Sequence, residues 1–351
     1  MRKKPLGKSD IETSVIMLGT WAVGGWMWGG TNENEAINAI STAIENGING
    51  IDTAPMYGYG YAEEVVGKAI AGKRDKVVIA TKCGLVWHTQ KGEHFFSADE
   101  KAVNMGSGKY KIYRCLSPET IRYEIEKSLS RLNTDYIDLY QTHWQDPTTS
   151  IEDTMSELLK LKDEGKIRAI GVCNASPDDM VKYRKTGILD SDQERYNMLD
   201  RGPDSSQLQY CTKHKLAFLA YSPLALGLLT GTMDPERKFN GTDMRNKVPR
   251  FSQEGRAKIS KLLNDLEPFA KKHTITIPQL VIAWTIHQRG CTHALVGARK
   301  PQHAIENAKA GDVKLNTEDV TQMNEIIEKH LPGMPSGKWR QRRNIFLHLS
   351  S

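Results

Sequence analysis

What most limits the fold of this chain is an alternation. Short β-branched, apolar runs and amphipathic segments at helical spacing succeed one another along most of its length. "SVIMLGT" (14–20) reads as a strand, and "EAINAISTAIEN" (35–46) follows it with Ile37, Ile40 and Ile44 on one face. "GIDTA" (50–54) leads into "AEEVVGKAIAG" (62–72). "KVVIATK" (76–82) is the nearly continuous apolar run expected of a parallel strand covered on both faces. "SPETIRYEIEKSLSRL" (117–132) opens with a serine cap and a proline at the first helical position. Further strands are expected at 135–144, 167–176, 192–199, 216–223 and 293–298. Helices are expected at 150–165, from Pro177, and near 204–214, 278–289 and 301–310.

Eight strands, most followed by a helix and none set apart by a linker rich in Pro, Gly or Ser, fit one (β/α)₈ TIM barrel over residues 1–330. Residues 331–351 are then a C-terminal tail. The alternative is a doubly wound open sheet, but no strand opens into the G-x-G-x-x-G turn of a Rossmann nucleotide site. "GYGYAE" (58–63) has the wrong spacing and follows the second strand. Two connections break the rhythm, 83–116 and 224–252, each far longer than the usual few residues. In a barrel both project from the C-terminal face, where barrel active sites are built.

Charge and cysteine usage exclude other classes. A net charge of +6 over 351 residues, with the basic residues dispersed, does not suit a nucleic-acid partner. The exception, "KWRQRR" (338–343), reads as a solvated tail; with the apolar "NIFLHL" after it, the segment could also dock on a second copy in a homo-oligomer. Cys83, Cys115, Cys173, Cys211 and Cys291 stand far apart, with no C-x-x-C and no metal-ligand spacing. That suits a reducing cytoplasm, and no resident metal is expected. The N-terminus lacks the apolar core of a signal peptide, and no apolar run approaches the ~20 residues that span a bilayer.

Polar residues gather where the strands end. Asp52 closes the second strand and Tyr57 follows in its loop; Lys82 closes the third, and His143 with Trp144 the fourth. Asn174 ends the fifth, Gln193 lies in the sixth, and Ser222 ends the seventh. The apolar run before Lys82 places its ammonium near the core, where it needs a carboxylate, and Asp52 on the adjacent strand can supply one. A free tyrosine, with a pKa of about 10, gives up its proton reluctantly, and a neighbouring ammonium lowers that value. His143 can donate a hydrogen bond that orients a substrate oxygen. The set fits protonation of a carbonyl oxygen, with the hydride coming from a cofactor.

"GINGIDTAPMYGYGYAEEVVGKAI" (47–70) resembles the first signature of the aldo-keto reductase superfamily. "THW" and "GVCNAS" match its fourth and fifth strand ends. "YSPLALGLLTG" and "GARKPQHAIEN" resemble its two nicotinamide-cofactor segments. The likeness runs in order over residues 3–330 and is nearest to the bacterial branch acting on small aldehydes and sugar-derived carbonyls. It implies reduction of an aldehyde or ketone to the alcohol, with NADPH extended across the barrel mouth and Tyr57, Asp52, Lys82 and His143 as a catalytic tetrad. A cofactor-sensing subunit like the potassium-channel β subunits, which share this barrel, is the alternative.

Position by position, the resemblance assigns Gly19, Thr20 and Trp21 to the floor under the nicotinamide, beside Asp52. Asn174 and Gln193 are assigned to its carboxamide. Ser222, Pro223, Leu224, Gly227 and Leu228 match the pyrophosphate segment, and Arg245 matches an arginine of the loop that clasps the cofactor. Gly297 and Arg299 match the 2′-phosphate segment, and Glu306 and Asn307 the adenine contacts. His303 stands where many members carry Arg or Gln, but Arg299 and Lys300 still offer positive charge. NADPH is therefore expected, with NADH left acceptable. Trp21, Trp28, Trp87 and Trp144 are expected to ring the small-molecule substrate beside Tyr57 and His143.

Overall fold

The computed structural model describes residues 1–25, 32–98, 110–234, 236–239 and 244–334. The chain starts with a hairpin, β1 (Lys3–Pro5) and β2 (Glu12–Ser14). Its turn carries Leu6 and Ile11, both essentially buried, which pack with Met17, Val78, Leu139 and Ala217 and so close the N-terminal end of the barrel.

The barrel strands are β3 (Ile16–Gly19), β4 (Gly50–Asp52), β5 (Val78–Cys83), β9 (Ile137–Thr142), β10 (Ile167–Cys173), β11 (Ser191–Arg195), β12 (Ala217–Tyr221) and β13 (His293–Gly297). They pair in parallel around a closed ring in the order β10-β11-β12-β13-β3-β4-β5-β9. Closure excludes the open doubly wound sheet. Each strand is shorter than its apolar run; the residues beyond it turn into the loops of the mouth.

Helices α1 (Glu33–Glu45), α2 (Tyr61–Ala69), α3 (Pro118–Leu132), α4 (Ile151–Asp163) and α5 (Pro177–Thr186) cover the first half of the ring. Helices α6 (Gln207–His214), α7 (Gln253–Lys272), α8 (Ile277–His287) and α9 (Pro301–Ala310) cover the second. The expected serine cap forms at Ser117, whose side chain accepts from the Thr120 amide, with Pro118 opening the helix. A further helix, α10 (Thr317–His330), packs on α7 and has no counterpart in the repeat read from sequence.

The connection after β5 is not a bare loop. It holds β6 (Leu85–Val86), β7 (Glu93–Ala98) and β8 (Tyr110–Arg114), an antiparallel sheet in the order β6-β8-β7. Side chains along these strands alternate, and one face buries Phe96, Ala98 and Ile112 beside Met56 of the β4–α2 loop. The sheet thereby becomes a flap along one side of the barrel mouth. Trp28 and the tail from 335 onward, with its proposed dimer contact, lie outside the described residues. Among the described residues no helix is long and apolar enough to cross a membrane.

Candidate active site

Alternation along a strand sends every second side chain into the barrel, and the register decides which ones meet. Lys82 and Gln141 are register partners across β5 and β9, as are Cys173 and Gln193 across β10 and β11. Asp52 reaches the same level from β4. The result is a polar layer on top of an apolar one.

Lys82 is 1% exposed, and its ammonium uses all three donors. It donates to Asp52 Oδ1 at 2.7 Å, to the Thr53 carbonyl at 3.0 Å and to Tyr57 Oη at 3.3 Å. The other Asp52 oxygen accepts from Gln193 Nε2 at 2.8 Å and from Gln141 Nε2 at 3.3 Å. Burial works against the Lys82 ammonium, but Asp52, Tyr57 and Cys173 together outweigh it, and the lysine pKa is raised above its ordinary value.

Tyr57 reaches this layer from the β4–α2 loop. That loop is pinned to the preceding one: a Cβ at Gly58, whose φ is +69°, would lie 2.5 Å from the Gly24 carbonyl oxygen. The Tyr57 ring meets the His143 ring edge-on, with centroids 5.9 Å apart. Burial pushes the Tyr57 pKa up to about 12, and the nearby Lys82 offsets only part of that. Sequence reasoning anticipated the lowering by Lys82 and not the larger effect of burial, so the phenol stays protonated at neutral pH. Burial, then the Lys82 charge, holds His143 well below the ordinary imidazole pKa, which keeps it neutral.

The cofactor residues named from sequence lie at the same end of the ring. Thr20 ties its loop to β4 through hydrogen bonds from N and Oγ1 to the Asp52 carbonyl, at 2.9 and 3.0 Å. Asn174 adopts φ +54° at the end of β10 and donates to the His143 carbonyl at 3.0 Å. Gln193 Nε2 donates to Asp52 Oδ2 at 2.8 Å and to Gln141 Oε1 at 3.3 Å. Ser222, Ala225 and Leu226 all have positive φ, a strained run tied down by Asn197 Nδ2, which donates to the Ser222 carbonyl at 3.0 Å. Leu228 is buried in the main core, so only its backbone is available to a ligand. The Arg245 guanidinium lies over the Phe239 ring at 4.5 Å. Asn307 is nearly buried and donates to the Gly297 carbonyl at 3.2 Å, joining α9 to β13. Arg299, Lys300 and His303 are exposed around the start of α9.

Trp21, Trp87 and Trp144 pack in one aromatic cluster with Tyr59, Phe95 and Tyr110. Phe95 of the flap meets Trp144 at 5.3 Å between ring centroids, and Tyr59 meets Trp87 at 5.1 Å. The sequence reading missed Gln141, Phe95, Tyr59 and Tyr110. It also missed Tyr221, whose hydroxyl donates to Asn174 Oδ1 at 2.9 Å. The alternation in "HFFSA" and "YKIYR" carries the signal for the flap. Among the described residues no group of three His, Cys, Asp or Glu side chains could hold a metal ion.

A closed eight-strand barrel with this Asp–Tyr–Lys–His layer at its C-terminal mouth places the chain in the aldo/keto reductase family, whose family model matches residues 15–328. Aldo-keto reductase YhdN of Bacillus subtilis is 40% identical over 93% of this chain and 94% of its own length. The NADH-specific methylglyoxal reductase of Escherichia coli is likewise 40% identical, over 93% of this chain and 99% of its own. Among solved structures, the glycerol dehydrogenase AKR11B4 of Gluconobacter oxydans superposes with a TM-score of 0.83 at 37% identity, covering 94% of this chain and 96% of that one. The chain is thus an oxidoreductase of carbonyl compounds, and these relatives lend nothing to the channel-subunit alternative.

Proposed function

We propose that the protein reduces small aldehydes and ketones, 2-oxoaldehydes such as methylglyoxal foremost, using NADPH and Tyr57 as proton donor. The observation that carries this reading is the Lys82 ammonium, held between Asp52 Oδ1 and Tyr57 Oη at 2.7 and 3.3 Å. The residues present fit a nicotinamide dinucleotide. Gln193, whose amide nitrogen donates to Asp52 Oδ2 and Gln141 Oε1, keeps its carbonyl oxygen for a carboxamide N–H. Arg299 and Lys300, exposed just before helix α9, offer positive charge to a phosphate.

The bound nicotinamide supplies the hydride that the chain itself lacks. Tyr57 Oη gives its proton to the substrate oxygen as negative charge builds there. Lys82 stabilises the tyrosinate left behind, and Asp52 holds the ammonium in place. Neutral His143 donates one N–H to the same oxygen and fixes its direction. The wall of Trp87, Trp144 and Phe95 excludes water and limits substrate size.

A second reading, NADH as the working cofactor, is favoured by the E. coli relative whose name states that preference. A panel of methylglyoxal, short aldehydes and aldoses run with each cofactor tests both. Loss of reduced-nicotinamide absorbance with NADPH at a kcat/KM at least tenfold above that with NADH supports the proposal. The reverse ratio supports the second reading, and no turnover of any carbonyl contradicts both. Arg299→Ala is expected to raise KM for NADPH about tenfold, roughly one lost phosphate contact, and to leave NADH nearly unchanged. Equal losses remove the argument for a 2′-phosphate site.

A further inference from the structure

Lys82 and Tyr57 belong to different elements, and inside the barrel Asp52, the Thr53 carbonyl and their own contact hold them together. On the outer face of β5 the structure contains a second, separate polar group. Thr81, the residue before Lys82, points the opposite way, into the helix layer. Its hydroxyl donates to Glu63 Oε1 at 2.6 Å. Glu63 lies on α2 and is 0% exposed, and its other oxygen accepts from Arg131 Nε at 2.6 Å.

Arg131, near the end of α3, lies against the loop that carries Tyr57. A Cβ at Gly60, whose φ is +100°, would sit 2.6 Å from Arg131 Cδ, so the arginine stem packs directly on this backbone. Two backbone hydrogen bonds tie that point to the tyrosine: Tyr61 N donates to Gly58 O at 3.2 Å, and Ala62 N donates to Tyr57 O at 3.1 Å. Glu63 therefore joins, from outside the barrel, the strand that aims Lys82 and the loop that aims Tyr57. A buried ion pair seldom stabilises a fold more than apolar residues of the same volume, so a stability role alone explains this one poorly. A Tyr57–Lys82 hydrogen bond already at 3.3 Å has little slack, and a displacement of about 1 Å in such a site can cost a hundredfold in rate.

We propose that Glu63 is a positioning residue for the proton-donor pair, acting on Lys82 through Thr81 and on Tyr57 through Arg131. It rests on the reading of Tyr57 as proton donor. Glu63 touches no reacting atom; its effect is on the distance between two groups that do.

The test compares Glu63→Gln, Thr81→Val and Thr81→Ser in the full-length enzyme with methylglyoxal and NADPH. Expected is a fall in kcat of about tenfold for Glu63→Gln and Thr81→Val, with KM for both reactants within twofold, and near-complete retention for Thr81→Ser, which keeps the hydroxyl. Because Lys82 lowers the Tyr57 pKa, its displacement should also move the basic limb of the kcat–pH profile upward. In a Tyr57→Phe background Glu63→Gln should change the residual rate less than twofold, since the group it positions is gone. A lowered Tm with unchanged kcat in both Glu63→Gln and Thr81→Val, or a full tenfold effect persisting in the Tyr57→Phe background, overturns the proposal. If Glu63→Gln does not fold, the Thr81 pair decides alone: equal activity of Val and Ser contradicts it. Full activity of Tyr57→Phe would instead reject the proton-donor reading itself.

Discussion

At the N-terminal end of the barrel, Leu6 and Ile11 of the hairpin pack against Met17, Val78, Leu139 and Ala217. At the C-terminal end, the same ring of strands presents Asp52, Lys82, Gln141 and Gln193 to the interior, where the other three hold the Asp52 carboxylate. The lower layer gains stability simply by burying apolar surface, roughly 1.5–3 kcal/mol for a leucine-sized side chain. The upper layer removes a lysine and an aspartate from water, which at best breaks even against apolar packing. One barrel thus keeps a layer that holds the fold and a layer that the fold must hold. Substitutions below should change stability at constant kcat. Those above should change kcat, and change stability only where they strand a charge.

Lys82→Met tests that division most severely. It removes the partner of the tyrosine and leaves Asp52 buried with only its two glutamines, so kcat should fall at least a thousandfold. Stability should fall too, by about 3 kcal/mol, because an unpaired carboxylate then remains inside. Denaturant unfolding alongside turnover checks both; lost activity with unchanged stability would mean that the upper layer is not as dry as its contacts indicate.

The lower layer has its own ionisable group. His293 opens β13, is 0% exposed, and is pushed down to about 4 from the ordinary 6.5 by burial, then by Lys4. A histidine whose folded pKa is depressed contributes stability that is fully present above pH ~6.5 and is lost as pH falls through ~4. The loss should be about 3 kcal/mol across that window. His293→Gln should flatten it without altering kcat at pH 7. A wild-type stability profile flat between those values would show that the base of the barrel is hydrated.

The smallest effect is expected at the rim. Phe95→Ala removes the ring that meets Trp144, and KM for methylglyoxal should rise about threefold to tenfold with kcat nearly constant. A fall in kcat with unchanged KM would move the flap from binding into the chemistry.

Much of the upper layer was legible in the sequence because its members stand where strands end. "GID" before a glycine-rich loop, the run into Lys82 and "THW" each mark a boundary, and the alternation of strands and helices supplies the order. Gln141 escaped because it sits inside a strand, and only ring closure and the register with Lys82 reveal that it faces Asp52. The flap escaped because β7 and β8 pair across a long intervening segment, whereas a barrel reading looks for parallel units. The Tyr57 pKa escaped for a different reason. Sequence shows which charges are neighbours but not how dry a site is, and here dryness is the larger effect. Leu228 and Asn307 match cofactor segments, yet the structure uses their side chains to pack the core and to join α9 to β13.

The most direct measurement is Tyr57→Phe in single turnover: NADPH absorbance followed after mixing with methylglyoxal, with cofactor Kd measured separately. The expected result is a rate reduced by about a thousandfold, within the range for loss of a general acid, at a Kd within threefold of the parent enzyme. A rate within tenfold of the parent, at unchanged Kd, would contradict the assignment of the proton to Tyr57.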